Sequence, residues 1–192
     1  PVIHFFEGFL QEYDKKAKKE KGVFYTPRPV VSFIVRSVDE LLRTEFGLED
    51  GLADTTTWGE MTGRIDDLEI PEGATPEQAF VQILDPATGT GTFLVEVIDL
   101  IHKTMTAKWQ AEDHGKKKIE KLWNAYVPEH LLPRLHGYEL MMAPYAIAHM
   151  KIGLKLYETG YRFESEARAR VYLTNALDPA QDFCGTGAFA IP

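Results

Sequence analysis

The segment 81–94, VQILDPATGTGTFL, constrains the fold of this chain more than any other. It predicts a buried strand that ends in an acid, a glycine loop, and a helix that runs from Phe93 to about Met105. Gly89 and Gly91 let the backbone turn sharply and approach a ligand without a side-chain clash. The amino terminus of the helix points its unsatisfied N–H groups into the same space. A strand, loop and helix in this order are typical of a nucleotide-cofactor site.

The charge at the strand tip narrows the choice of cofactor. A dinucleotide fingerprint requires a third glycine where Leu94 stands, and a P-loop requires Gly-Lys-Ser/Thr after the loop; neither is present. Asp85 would repel a pyrophosphate placed at this tip, but it suits a ligand that carries an ammonium or a sulfonium group. S-adenosylmethionine carries both groups, so it is the expected cofactor.

The run from Asp85 to Phe93 resembles the cofactor motif of the adenine-N6 DNA methyltransferases, Asp-Pro-Ala-x-Gly-Thr-Gly-x-Phe. The resemblance implies the fold class: α/β, a partial Rossmann-like class I S-adenosylmethionine-dependent methyltransferase fold, with a parallel sheet flanked by helices. It also implies that the motif residues bind the cofactor, namely Asp85, Pro86, Ala87, Thr88, Gly89, Thr90, Gly91 and Phe93.

The rest of the sequence alternates helices with short strands. Apolar spacing predicts helices over 30–46 and 145–157, and an irregular helical stretch over 109–132. Short strands are expected over 133–139 and 170–175. This alternation predicts parallel strand pairing with helical crossovers, and ligands in such sheets bind beyond the carboxyl ends of the strands.

Polar residues stand at two further strand ends. Glu139 ends the second strand, where a carboxylate can accept both hydroxyls of a ribose, and the resemblance assigns that role to this position. Leu140 follows it and is expected on the adenine ring. Asn175, followed by Ala176, corresponds to the acid or amide that ends the third strand in the family. Its amide can accept a hydrogen bond from the adenine amino group and donate one to a ring nitrogen.

An upstream segment adds a second motif. Residues 22–27, GVFYTP, resemble the segment that precedes the glycine loop in this permuted class of methyltransferases and holds the methionine end of the cofactor. The resemblance implies that Thr26 binds the methionine carboxylate, while Tyr25 and Pro27 shape the wall of the site.

The stretch 5–177 further resembles the methyltransferase portion of single-polypeptide, type I-like restriction-modification enzymes. In such proteins a nuclease and a helicase-like ATPase precede this portion, and a target-recognition domain follows it. Those domains, and the DNA that they bind, are therefore the expected partners in an intact protein.

Three segments are expected within the chain. Residues 1–21 are predicted to form an N-terminal helix and a charged linker, and residues 22–192 the cofactor-binding part of a methyltransferase domain. Within that part, residues 49–78 are rich in Gly, Asp, Thr and Pro and are interpreted as an insertion, with short strands near 58–65.

The composition excludes several function classes. A formal net charge of −8 opposes general adhesion to DNA or to an anionic membrane, so DNA contact is expected through segments outside this sequence. No apolar run approaches the ~20 residues that span a bilayer, and no leader opens the chain. The single Cys184 excludes an internal disulfide, and the histidines show no metal-ligand spacing with it. We expect a cytoplasmic protein without a metal site.

The family's catalytic element, Asn/Asp-Pro-Pro-Tyr/Phe, lies on the loop after a fourth strand and binds the flipped base. This sequence contains no such tetrapeptide; residues 177–180, LDPA, lack the second proline and the aromatic residue. Residues 182–189 echo the cofactor loop and are interpreted as loop. We therefore expect a fragment that is inactive alone. Its glycine-loop strand would be left as an edge, which the chain's own tail or self-association would cover.

The sequence leaves alternatives open. The same cofactor half would serve a methyltransferase that acts on RNA or protein, or a nucleotide-binding scaffold without chemistry. The choice between adenine and cytosine as acceptor requires the absent catalytic loop.

Overall fold

The described part of the computed structural model, residues 26–164 and 166–177, is built on a three-stranded parallel sheet. The strands are β1 (Ile83–Asp85), β2 (Leu135–Glu139) and β3 (Arg170–Leu173), and they lie in the order β1-β2-β3. The predicted α/β class with a parallel sheet flanked by helices is confirmed. The helix and linker predicted over 1–21, and the loop predicted over 182–189, lie outside the described residues.

Five α-helices of the described residues surround the sheet. They are α1 (Arg28–Phe46), α2 (Trp58–Thr62), α3 (Thr92–Ala111), α4 (Lys116–Tyr126) and α5 (Met142–Glu158). Three short turns of other helical types complete the list: Gly51–Ala53, Val127–Leu131 and Leu132–Arg134. None of the helices in the described ranges combines the length and the apolar character needed to cross a membrane.

The segment 49–78 differs from its prediction. The short strands expected near 58–65 are wrong, because α2 occupies this position. Thr57 and Glu60 form a capping box, in which the Thr57 hydroxyl accepts from Glu60 N–H and the Glu60 carboxylate accepts from Thr57 N–H. These two bonds satisfy N–H groups that a helix start leaves unpaired, and so they favour a helix there. Leu52 and Met61 of this segment are buried in the main core.

Strand β1 is also shorter than the apolar run that predicted it. Only residues 83–85 pair, and they pair with β2 alone, so β1 is an edge strand within the described residues. Leu84 is 51% exposed, so the expectation of a buried strand is wrong for this residue, whereas among the described residues β1 is an edge, as expected. An edge strand has a neighbour on one side only, and its outward backbone groups remain available for pairing.

A buried cation anchors the start of β2. Arg134 is 2% exposed, and its guanidinium donates to Asp54 O and to Tyr126 Oη, both at 2.7 Å. The Tyr126 hydroxyl in turn donates to Ala53 O at 2.6 Å. This network fastens the segment before α2 to the turn before β2, and so fixes the strand that carries Glu139.

Candidate functional site

The glycine loop between β1 and α3 is fastened to β2 by a backbone hydrogen bond and to the end of β1 by a side-chain hydrogen bond. Thr88 N–H donates to Tyr138 O at 2.9 Å, and the Thr88 hydroxyl donates to Asp85 O at 3.0 Å. Gly89 and Gly91 adopt φ values of +54° and +79°, a region that favours glycine. The loop therefore has a fixed shape that its two glycines make accessible.

Two glycines allow the loop to pack closely against α5 and β2, because they have no Cβ. A Cβ on Gly91 would approach the Cα and Cβ of Ala148 in α5 to 3.3 Å. A Cβ on Gly137 in β2 would lie 2.5 Å from the Thr88 hydroxyl oxygen. Gly137 was not singled out in the sequence, although an isolated glycine inside a strand is a signal of close backbone approach.

Glu139 holds the loop from the neighbouring strand. Its Oε2 accepts Gly89 N–H and its Oε1 accepts Met141 N–H, both at 2.8 Å, and the residue is 8% exposed. Each carboxylate oxygen can accept a further hydrogen bond. Glu139 is therefore a positioned acceptor at the carboxyl end of β2, and it also fixes the glycine loop.

Asp85 has one oxygen without a partner. Its Oδ1 accepts Ala87 N–H at 3.1 Å, whereas its Oδ2 is buried and accepts no hydrogen bond in the described structure. Burial raises the pKa of this carboxyl; the Ala87 N–H lowers it and the charge of Glu139 raises it further. A buried carboxylate oxygen without a partner can accept a hydrogen bond, and a cationic donor would favour its ionised form.

A cavity of about 590 Å³ opens at the carboxyl ends of the strands. Among the predicted cofactor-binding residues, eleven line it: Thr26, Pro86, Ala87, Thr88, Gly89, Thr90, Phe93, Glu139, Leu140, Asn175 and Ala176. Six lining residues were not predicted: Thr92, Tyr138, Met141, Pro144, Thr174 and Leu177. The volume lies within the range of roughly 300–1,000 Å³ that small-molecule sites occupy.

The remaining predicted residues lie elsewhere. Gly91 packs on Ala148 and does not line the cavity, and neither does Pro27, while Tyr25 lies outside the described residues. Asp85 lines a neighbouring groove of about 500 Å³, which also borders Pro86 and Phe93. Asp85 is thus not among the residues that line the cavity, although Pro86 and Phe93 border both spaces.

The rim of the cavity near β3 carries apolar and amide groups. Leu140 is 63% exposed and Leu177 is 92% exposed, so both present apolar surface to the opening. Asn175 Oδ1 accepts Leu177 N–H at 3.1 Å, which places the amide in a turn directly after β3. An apolar wall beside an amide is suited to a flat heterocyclic base.

Comparisons with known proteins agree with this architecture. The family model described as N-6 DNA Methylase matches residues 2–46. No curated protein matches the chain significantly.

Solved structures match almost the whole chain. A cryo-EM structure of a DrdV–DNA complex matches 92% of this chain at 28% identity and a TM-score of 0.55. A nuclease-deletion mutant of the type ISP restriction-modification enzyme LlaGI, in complex with a DNA substrate mimic, matches 88% at 27% identity and a TM-score of 0.51. The ATP-dependent type ISP restriction-modification enzyme LlaBIII, bound to DNA, matches 88% at 27% identity and a TM-score of 0.53.

The chain spans only 13%, 11% and 9% of the lengths of these three proteins, so it corresponds to a small part of each. The matches to type ISP enzymes confirm the resemblance seen in the sequence. Residues 2–46 are thus similar to N-6 DNA methylases, and most of the chain is similar to a small part of type ISP restriction-modification enzymes.

Proposed function

We propose that this chain is the S-adenosylmethionine-binding part of a site-specific DNA adenine-N6 methyltransferase in a restriction-modification enzyme. The observation that carries the proposal is the position of Glu139. Its carboxylate is held by Gly89 N–H and Met141 N–H at the mouth of a cavity that the glycine loop also lines. A ribose can donate its two hydroxyls to such a carboxylate, because both oxygens keep accepting capacity.

Other residues of the cavity would hold the two ends of the cofactor. Leu140 and the Asn175–Ala176 turn would hold the adenine, and Thr26, which lines the same cavity, would bind the methionine carboxylate. The partnerless Oδ2 of Asp85 fits a ligand with an ammonium and a sulfonium group. Since Asp85 faces the neighbouring groove, it would act through its negative potential across Pro86 rather than as part of the cavity wall.

The cofactor supplies an electrophilic methyl group when it is bound. The residues of this chain would bind the cofactor and fix its orientation, and correct orientation of two reactants lowers the barrier of a displacement reaction. The sequence contains no Asn/Asp-Pro-Pro-Tyr/Phe motif, so we infer that this chain transfers no methyl group by itself. In an intact protein a catalytic loop and a recognition domain would hold the flipped adenine and the DNA.

Calorimetric titration of the folded chain with S-adenosylmethionine tests the proposal. We expect saturable binding by the wild type and a loss of about tenfold or more in Glu139→Ala, which removes a charged hydrogen-bond partner, and in Asp85→Ala, which removes a negative potential beside the cavity. Glu158→Ala is a matched control, because this exposed glutamate lies on α5 away from the cavity lining. Absence of binding by a folded wild type would refute the proposal.

We also propose that a second copy of the chain covers the edge of β1 that is unpaired among the described residues. The edge borders an apolar groove of about 500 Å³, lined by residues of α1 and α3. Ile34, Val38 and Leu84 line this groove and are 41%, 42% and 51% exposed. A free strand edge beside exposed apolar side chains favours association with another chain.

A further inference from the structure

A second cavity, of about 490 Å³, lies at the end of the sheet opposite to the glycine loop. Its lining includes residues that precede or begin each strand, namely Gln82 before β1, Arg134 and His136 at the start of β2, and Arg170 at the start of β3. Because the three strands are parallel, these positions lie together at their amino ends. The two cavities share no lining residue, so the proposed cofactor does not account for this one.

Arg134 brings a buried positive charge to this second cavity. The residue is 2% exposed, and its guanidinium donates to His130 O, Asp54 O and the Tyr126 hydroxyl, each at 2.7 Å. All three acceptors are neutral, and among the described residues Arg134 forms no ion pair with a carboxylate. A guanidinium has five N–H groups, so donors remain for a further acceptor. A buried cation without an opposite charge is costly, and an anion in the cavity would compensate it.

His136 and Arg170 lie beside each other on neighbouring strands. They are register partners in the parallel pairing of β2 with β3, so their side chains leave the same face of the sheet. Burial lowers the pKa of His136, and the positive charge of Arg170 lowers it further. Arg170 is exposed and forms no ion pair within the described part of the chain. An imidazole and a guanidinium are thus close enough to donate to the same anion.

Two acidic side chains also line this cavity. The side chain of Glu129 is 69% exposed, and its carboxylate lies 3.8 Å from Nε2 of His130. Glu77 is exposed and forms no ion pair with another described residue. Neither acid pairs with Arg134 or Arg170, so the charges of both arginines remain available to a ligand.

We propose that this cavity binds the phosphate group of a small molecule, held by the buried Arg134 together with Arg170 and His136. The planar N–H groups of a guanidinium match the oxygens of a phosphate, and the imidazole adds a further donor. The volume of about 490 Å³ also leaves room for an organic group beside the phosphate, within the range of roughly 300–1,000 Å³ that small-molecule sites occupy. The site is independent of cofactor binding at the other end of the sheet.

Titration of the ¹⁵N-labelled chain, followed by NMR at constant pH and ionic strength, tests the proposal. The probes are inorganic phosphate and ribose 5-phosphate, with ribose as the neutral control. Arg170→Gln removes one cation at an exposed position, where the change should leave the fold intact. Arg168→Gln is the matched control, because Arg168 is an exposed arginine two positions earlier that does not line the cavity.

We expect saturable shifts of the amide signals near 134–136 and 170 with at least one phosphate compound, and none with ribose. Arg170→Gln should weaken the binding about fivefold or more, since it removes a charge-assisted hydrogen bond. Arg168→Gln should change it less than about twofold. Tighter binding of ribose 5-phosphate than of inorganic phosphate would support a phosphate monoester as the ligand, and equal affinities would support free phosphate.

Three results would overturn the inference. The first is a folded wild type that shows no saturable shifts with either phosphate compound. The second is an equal loss of affinity in Arg170→Gln and Arg168→Gln, which would indicate unspecific attraction of anions to the surface. The third is undiminished binding by an Arg134→Gln variant whose amide spectrum shows that it is folded, because the buried cation would then have no part in the site.

Discussion

Glu139 Oε2 lies 2.8 Å from Gly89 N, and this one hydrogen bond joins the glycine loop to a strand end 50 positions away in the sequence. The same carboxylate is the acceptor that we assign to the ribose. The shape of the loop and, under this assignment, the recognition of the ligand depend on one side chain.

Replacing Glu139 by alanine should lower both stability and affinity. The change leaves Gly89 N–H and Met141 N–H without their acceptor, so we expect the free energy of unfolding to fall by about 2 kcal/mol. Cofactor binding should be lost as well. Urea denaturation and calorimetry measure the two effects. Glu158→Ala, at an exposed ion pair, should change stability by less than about 0.5 kcal/mol.

A folded Glu139→Ala variant of unchanged stability would contradict this account. It would mean that the loop keeps its shape without the carboxylate, and that Glu139 acts on the ligand alone.

Replacing Asp85 should change stability and cofactor affinity in opposite directions, unlike the replacement of Glu139. Its pKa is raised mainly by burial, with the charge of Glu139 adding to the rise, so the folded state holds the proton more firmly than the unfolded state does. The stability that this group contributes is full below its unfolded pKa and is lost as pH rises through the folded pKa. At neutral pH the charged form therefore destabilises the empty protein.

Asp85→Asn removes that charge. We expect the free energy of unfolding of the empty chain to rise by about 1 kcal/mol at neutral pH, and the gain to disappear in acid where the wild type is protonated. S-adenosylmethionine affinity should fall in the same variant. Denaturation curves at neutral and acidic pH measure the first effect. A variant that is less stable than the wild type at neutral pH would show that Asp85 stabilises the fold.

The affinity of the wild type for S-adenosylmethionine should also depend on pH. Only the ionised form of Asp85 attracts an ammonium or a sulfonium, so affinity should fall on acidification, beginning at a higher pH than the pKa of an ordinary aspartate would give. Titrations in a pH series on the wild type and Asp85→Asn test this, since the variant should lack that component. Identical pH profiles for the two proteins would exclude Asp85 as the responsible group.

The parts of the fold that local pattern controls could be predicted from the sequence. The periodicity over 30–46 gives α1, and Gly47 ends it in a left-handed conformation with φ of +63°. The run from Asp85 to Phe93 locates the loop because glycine spacing is a backbone requirement. Glu139 follows from its place at the end of a strand.

Features that depend on distant contacts could not be predicted. Lys151 stands in a helix whose pattern carries no sign that its ammonium reaches Thr90 and Thr92, some 60 positions earlier. Gly137 is required by the Thr88 hydroxyl, a neighbour that only the register of β1 and β2 brings near. The capping box of Thr57 and Glu60 is a local signal by contrast, and it favours a helix within the turn-rich segment 49–78, which was interpreted as an insertion with short strands.

The two loop glycines should respond differently to alanine. In Gly89→Ala the added methyl meets only Ala87 O at 4.0 Å, so the cost is that of the positive φ, about 1 kcal/mol. In Gly91→Ala the methyl also presses on Ala148 at 3.3 Å, so we expect a loss of about 2–3 kcal/mol. Thermal or urea unfolding of both variants measures the difference. Equal losses would show that α5 moves away from the added methyl group at no cost in stability.

The free edge of β1 should control the oligomeric state. Leu84 is the middle residue of this strand, is 51% exposed and lines the apolar groove. Leu84→Lys places a charge on the edge, as natural edge strands do to prevent pairing, and should shift a concentration-dependent dimer to monomer with at least about a tenfold weaker association. Sedimentation or light scattering over a concentration series measures this.

Tyr157→Lys is the control, since Tyr157 is a 64% exposed apolar residue on α5 and does not line the groove. A wild-type chain that stays monomeric at every concentration would refute self-association. A dimer that Leu84→Lys leaves intact would place the contact on another surface.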